Sequence, residues 1–153
     1  EATLVAHVVR PFSTHRPTEI VAAPKVYGFD TGFVCYHRGW SRLRPEDMGL
    51  LWEHFVLNEV QATRQVRALQ YWRDKRGHEV DFVVAPRGKA PTAIECKWRT
   101  SEFDAAALAA FRELHPKGRN YVVTNDVSEA HERVIHGMQV RFVGLPELVA
   151  EVA

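Results

Sequence analysis

The chain has 153 residues, 46% of them hydrophobic and 25% charged, with a formal net charge of +1. That describes one ordinary globular domain able to bury a single core; it leaves no room for a second full-sized domain, and the net charge by itself calls for no polyanionic partner. Cys35 and Cys96 form no C-x-x-C pair, and no apolar run approaches the roughly 18 residues of a membrane span, so the expectation is no membrane and a reducing cytoplasm.

The chain opens on Glu1, not methionine, inside an apolar-rich stretch without a signal-peptide pattern, and is expected to be a fragment of a longer polypeptide. Short apolar stretches broken by Pro11, Pro17 and Pro24 lead to Lys25–Phe29, the best early strand candidate. Leu4, Val5, Val8 and Val9 fit a helix as well as a strand, which leaves that first element open. Basic residues crowd His37 to Arg44 and Arg64 to Lys89.

Pro45, Glu46 and Asp47 suit the first turn of a helix, where proline is tolerated and acids meet the positive end of the dipole. The helix should run to about Thr63. Its apolar residues go most of the way around the wheel, so Glu53 and Glu59 sit among apolar neighbours. Three strands are expected next, at Ala68–Arg73, Val80–Val84 and Thr92–Trp98, the last two joined by the turn-rich stretch at Pro86–Ala90. Ser101 and Asp104 look like a capping box for a second helix carrying Phe103, Leu108, Phe111 and Leu114, which Pro116 and Gly118 end. Tyr121–Thr124 and Val140–Val143 read as buried strands, and Leu145-Pro146 opens a short terminal helix. A strand, crossover helix and strand favour parallel pairing, whereas a short loop favours a hairpin, so the fold class is α/β: a mixed β-sheet flanked by helices.

Two strings carry the chemistry, His78-Glu79-Val80-Asp81-Phe82-Val83-Val84 and Ala93-Ile94-Glu95-Cys96-Lys97-Trp98. Strand alternation puts Glu79, Asp81 and Val83 on one face and Val80, Phe82 and Val84 on the other, while Glu95 and Lys97 oppose Ile94, Cys96 and Trp98. With the apolar sets on one side, Asp81, Glu95 and Lys97 converge on the other. Carboxylates brought together repel, which raises a pKa or demands a cation, and oxygen ligands suit Mg²⁺ or Mn²⁺. Such an ion beside a lysine is the minimum equipment for hydrolysing a phosphodiester.

An acid on a first helix, an Asp in one strand and Glu-x-Lys in the next resemble the PD-(D/E)XK, or restriction-endonuclease-like, nuclease superfamily. A closer resemblance covers nearly the whole chain. Pro24 to Gly32, Gly49-Leu50-Leu51-Trp52-Glu53-His54-Phe55-Val56-Leu57-Asn58-Glu59, Tyr71-Trp72-Arg73 and both strand motifs look like the C-terminal domain of unknown function, of the DUF4143 type, that follows the AAA+ ATPase module in bacterial and archaeal proteins. The superfamily pattern implies Glu53 as the helix acid, since Gly49-x-x-x-Glu53 matches its first motif better than Glu59 does; the helical wheel does not choose between them. It implies Asp81 and Glu95 as metal ligands, Lys97 as the catalytic lysine and the Cys96 carbonyl as a further ligand. The closer resemblance implies residues 1–36 as the segment joining an upstream ATPase region to a nuclease-like domain at 37–153. No G-x-x-x-x-G-K-[ST] loop is present, so this piece should not hydrolyse ATP.

Plainer readings compete. Glu-x-Lys alone is common as a solvated pair. Asp30 before Thr31-Gly32 reads as a turn residue. His54, His78, His131 and His136 share no zinc-ligand spacing. Cys96 should point into the apolar layer, and Trp52, Trp72 and Trp98 should serve packing before base stacking. Arg64, Arg67, Arg73, Lys75, Arg76, Arg87 and Lys89 fit a phosphate-tracking surface or a solvated rim equally well. The leading expectation is a magnesium-dependent nuclease acting on nucleic acid, DNA before RNA. The rivals are a binding module that regulates the ATPase and, last, an oligomerisation domain whose acids and lysine pair internally.

Overall fold

The computed structural model describes residues 6–14, 23–63 and 69–152. Eight strands form one mixed sheet in the order β2-β1-β3-β4-β5-β6-β8-β7, with ranges β1 Ala6–Pro11, β2 Lys25–Gly28, β3 Leu69–Arg73, β4 Glu79–Val84, β5 Thr92–Lys97, β6 Asn120–Thr124, β7 His131–Ile135 and β8 Met138–Val143. The helices are α1 Thr31–His37, α2 Met48–Thr63, α3 Ala106–Leu114 and α4 Leu145–Glu151. Among the described residues no helix is long and apolar enough to cross a membrane.

Connection length decides strand direction as expected. β3, β4 and β5 pair antiparallel through short turns, whereas β5 and β6, separated by α3, pair parallel. β1 resolves as a strand, antiparallel to β2 and parallel to β3, so the first 36 residues contribute two strands to the same sheet. Leu4, Val5, Pro17, Arg64, Arg67 and Ala68 lie outside the described residues.

The two faces of the sheet bury separate clusters. One gathers Trp52, Val56, Leu57 and Val60 of α2 with Phe82, Val84, Ile94, Cys96, Val123 and Leu148; the other gathers Leu108 and Phe111 of α3 with Trp72, Val80, Val83, Ala93, Val122 and Phe142. Trp52 and Trp72 are therefore core residues, and Trp98 packs edge-on against Trp52 at 5.7 Å. At the start of β5, the buried Arg112 donates to the carbonyls of Pro91, His115, Lys117 and Arg119 and to the Asn120 side chain, clamping the α3–β6 loop to the sheet. Burial pulls its pKa down to about 10, so it stays charged at neutral pH. Gly118 makes this possible: it has φ +121, and a Cβ there would lie 2.0 Å from the Pro91 carbonyl oxygen.

Four local expectations are corrected. Asp30 is the N-cap of α1, its carboxylate accepting from the Phe33 N–H at 2.7 Å, so a helix stands where only a turn was foreseen. The second long helix starts at Ala106, not Ser101: Thr100 donates from its N–H and hydroxyl to Asp126 Oδ1 at 2.9 and 2.8 Å, which ties residues 100–102 into a 3₁₀ turn against the end of β6. β7 was not foreseen because His131-Glu132-Arg133-Val134-Ile135 is an exposed edge; its sequence signal is the His136-Gly137 turn, both with positive φ, that joins it to β8.

The fourth concerns alternation in β4. Val83 pairs with Gln70 and Val80 with Trp72, so β4 takes three steps where β3 takes two. This is a β-bulge, and it sets Val80 and Val83 on the α3 face while Phe82 and Val84 lie on the α2 face. Val80, Phe82 and Val84 thus do not share one face. The expected outcome of removing the Arg112 clamp with Arg112→Met is a loss of about 3 kcal/mol, read as a fall in Tm of about 10 °C, because four backbone carbonyls lose their donor together.

Candidate active site at the open end of the β4–β5 ladder

The β4–β5 ladder pairs Val84 with Thr92, Val83 with Ala93 and Phe82 with Ile94, and there it stops. One residue further, the Asp81 side chain takes over from the backbone: its Oδ2 accepts from the Cys96 N–H at 2.8 Å. The bulge in β4 supplies the slack that lets a carboxylate replace a carbonyl in this seam. Asp81 and Glu95 are buried, at 9% and 2% exposure, and Lys97 Nζ lies 2.9 Å from Glu95 Oε2 and 3.5 Å from Asp81 Oδ2. Asp81, Glu95 and Lys97 therefore meet.

Glu53 approaches this group from α2 but has its own partners. The Tyr27 hydroxyl donates to Glu53 Oε1, and Lys25 Nζ lies 3.4 Å from the same oxygen and 2.5 Å from Glu79 Oε1. Arg73 then reaches Glu79 at 3.7 Å. Four carboxylates, Glu53, Glu79, Asp81 and Glu95, thus surround two ammonium groups, Lys25 and Lys97. Lys25 and Tyr27 were not singled out from the sequence. Their signal is the alternation in Lys25-Val26-Tyr27, which puts both polar ends on one face of β2 with the exposed Val26 on the other.

The electrostatics follow from this crowding. Burial pushes the Glu95 carboxyl up to about 8, the Asp81 charge adds to the shift, and Lys97 opposes it. Burial likewise raises Asp81 against the pull of Lys97. For Lys97 burial works toward neutrality, but Asp81 and Glu95 outweigh it and hold the ammonium above its usual range; Glu53 and Glu79 do the same for Lys25. Burial, then Asp81 and Glu53, keep the Cys96 thiol protonated in the apolar layer, which rules it out as a ready nucleophile.

Among the described residues no three His, Cys, Asp or Glu side chains are already arranged as a metal cage. The chemistry of the donors nevertheless fits a hard divalent cation. Glu95 Oε1 is buried without any hydrogen-bond partner, a carboxylate oxygen left over after Lys97 has taken Oε2. With Arg73 counted, four carboxylates face three cationic groups, and a divalent ion at Asp81 and Glu95 would favour the ionised form of both against the burial that raises them.

Of the other residues considered, Arg73 lies at the exposed end of β3, and Lys75 and Arg76 lie in the β3–β4 turn, which Asp74 braces by accepting from the Arg76 and His78 N–H groups. That turn leads straight into Glu79 and Asp81. Arg64 lies outside the described residues. Glu59 is half-buried and lines a mixed polar and apolar cleft with Trp52, Phe55, Asn125, Leu145 and Glu147, a cleft whose lining includes none of Glu53, Asp81, Glu95 and Lys97.

The family described as a domain of unknown function, DUF4143, matches residues 48–143, a span that includes α2, both acidic strands and β6. An uncharacterized protein of Mycobacterium bovis and one of Mycobacterium tuberculosis are each 37% identical over 83 residues, covering 52% of this chain and 18% of the relative. The match thus spans less than a fifth of the length of these relatives.

Two outcomes test this electrostatic picture. A carboxyl whose pKa is higher folded than unfolded stabilises the fold fully only below its unfolded value, near 4.5, and that stability is lost as pH rises through about 8. In EDTA, Glu95→Gln should therefore melt about 3 °C or more above the wild type at pH 8.5, with the gap closing toward pH 5. Lys25→Met should instead lower Tm by about 3 °C at neutral pH, because Glu53 and Glu79 then face each other without their shared cation, and 1 M salt should shrink the loss.

Proposed function

The chain belongs to the DUF4143 family, and we propose that in it this domain, built on a restriction-endonuclease-like core, is a divalent-metal-dependent phosphodiesterase acting on nucleic acid, DNA before RNA. The observation that carries the reading is the meeting of Asp81, Glu95 and Lys97 where the β4–β5 ladder opens, with Glu95 Oε1 left unpartnered. The element order from α2 through β3, β4, β5 and α3 to β6 supports it, being the order of the PD-(D/E)XK nucleases. Asp81 and Glu95, with Glu53 and the Cys96 carbonyl as further oxygen donors, would hold Mg²⁺ or Mn²⁺. A bound ion of this kind supplies Lewis-acid polarisation of the phosphodiester and a water of lowered pKa.

The chain's own groups have separate tasks. Lys97, held charged by two carboxylates, is a donor and not a base: it orients the attacking oxygen or meets the charge that builds on the phosphate. Lys25 and Tyr27 fix the Glu53 carboxylate by ion pair and hydrogen bond, so that it is presented in one orientation. Arg73 at the end of β3 and Lys75 and Arg76 on the turn before Asp81 would hold backbone phosphates near the scissile one. The resemblance to domains that follow an AAA+ ATPase, and the small share of the relatives that the match covers, support an ATPase region elsewhere in the polypeptide as partner. Two free cysteines suit a cytoplasmic protein.

A second reading has one observation in its favour. Asp81 Oδ2 already receives both the Cys96 N–H and Lys97, the pairing expected of a module that keeps the fold to bind nucleic acid or protein beside the ATPase without cutting. Calorimetry with Mg²⁺ and Mn²⁺, together with cleavage of mixed single- and double-stranded DNA and RNA, separates the two. The active reading expects metal binding that Asp81→Ala abolishes, and metal-dependent cutting that Asp81→Asn and Lys97→Ala each reduce by about 100-fold or more. A folded wild type that binds neither ion and cuts nothing overturns the active reading and favours the second.

A further inference from the structure

The hydrolytic reading leaves unused the basic stretch between α1 and α2. From Thr31 to Pro45 the chain has no acidic residue and carries His37, Arg38, Arg42 and Arg44. Aromatic rings are interleaved with these cations. Tyr36 is 85% exposed, Phe33 is 40% exposed and stacks flat on His37 with an interplanar angle of 6°, and the Arg38 guanidinium sits 5.0 Å from the Trp40 ring. One exposed ring alone is ordinary; here Tyr36 and Phe33 lie exposed on the same seven-residue helix, directly before Arg38, Trp40 and Arg42.

Arg44 is partly neutralised by Glu46 at 3.7 Å, whereas among the described residues Arg38 and Arg42 form no ion pair. A shallow groove lined by Trp40, Ser41, Arg42 and Arg44 continues the surface, with one carboxylate at its edge, Asp47, which accepts from the Arg44 N–H. α1, which carries Tyr36, packs against α2 and β2, the elements that supply Glu53 and Tyr27. The His54 ring of α2 meets Tyr27, the donor to Glu53, at 5.0 Å, and the Arg38 charge adds to the lowering that burial imposes on the His54 pKa.

We infer that Tyr36, Arg38, Trp40 and Arg42 form a binding surface for single-stranded nucleic acid, on which bases stack and backbone phosphates are paired as a strand passes toward Glu53. Flat rings interleaved with unpaired guanidinium groups are the combination that holds single strands without regard to sequence, since every base offers a π-face and every linkage a charge. Two unpaired arginines beside an exposed tyrosine also occur at protein interfaces; the position of this surface next to a phosphodiester-cleaving site favours the nucleic acid. The inference rests on that proposed activity and names the form of substrate it engages.

The test is fluorescence anisotropy of a labelled oligothymidylate of about 20 nucleotides and of a duplex of equal length, in EDTA so that no strand is cut. The double variant Arg38→Gln/Arg42→Gln should bind the single strand about tenfold more weakly at 0.1 M salt, and its log–log salt slope should be smaller by about 1.4, two phosphates' worth. Tyr36→Ala should weaken single-strand binding about tenfold while leaving the duplex nearly unchanged. All three positions are exposed or solvent-facing, and a Tm equal to the wild type's confirms that the variants are folded. Wild-type affinity and slope in the variants overturn the inference even if the wild type cuts nucleic acid in Mg²⁺. Strand binding that these variants lose, in a protein that cuts nothing, upholds it while the hydrolytic reading falls. Self-association abolished by Tyr36→Ala, without affinity for either strand, overturns it and assigns the surface to protein contact.

Discussion

The seam at Asp81 is the constraint on which the site depends. A β-ladder satisfies its backbone groups by continuing, and this one breaks off after Phe82 and Ile94. The break is tolerable because a side-chain carboxylate supplies the acceptor that the Cys96 N–H has lost. A neutral carbonyl is thereby exchanged for a negative charge inside the sheet, and the surroundings follow from the exchange. Lys97 comes to it, Glu95 shares Lys97, and the Glu95 pKa rises because burial and Asp81 together make a second charge expensive. The bulge that sets Val80 and Val83 on one face is the backbone's share of the same arrangement.

Much of this was legible in the sequence. The strands from Leu69 to Thr124 have strong β-formers and short or helical connections, so their directions followed from loop length. The convergence of Asp81, Glu95 and Lys97 followed from the spacing of the two motifs. The route to it did not. Simple alternation predicts one apolar face for Val80, Phe82 and Val84, and a single inserted residue defeats any period-two argument without leaving a glycine or proline as a mark. Lys25 and Tyr27 were missed for a different reason: their partners lie 28 and 26 residues away on a helix, and a polar residue in an edge strand is ordinarily just solvated. α1 and β7 were missed because both are short and present mostly exposed side chains, leaving local turn chemistry at Asp30 and at His136-Gly137 as their only signal.

The family match begins at Met48, yet the side chains that hold Glu53 come from β2, before that point. The Glu53 carboxylate, which lies inside the matched span, is therefore oriented by residues outside it. The same early part of the chain supplies α1 and the cationic, aromatic segment after it. The described residues before the matched span thus contribute to the acid group and not only to the sheet.

The Arg112 clamp has a consequence for how the domain divides its sensitivities. Its guanidinium is met by carbonyl oxygens, one amide and the Phe111 ring, partners that carry no net charge and do not titrate. At the opposite end of β5 the holding is done by carboxylates and ammonium groups, which protons, salt and multivalent ions all perturb. One strand therefore runs from an end indifferent to the ionic medium to an end that responds to it. A change of ionic conditions would be felt as a one-sided loosening or tightening, with the deaf end serving as the fixed support against which the listening end moves.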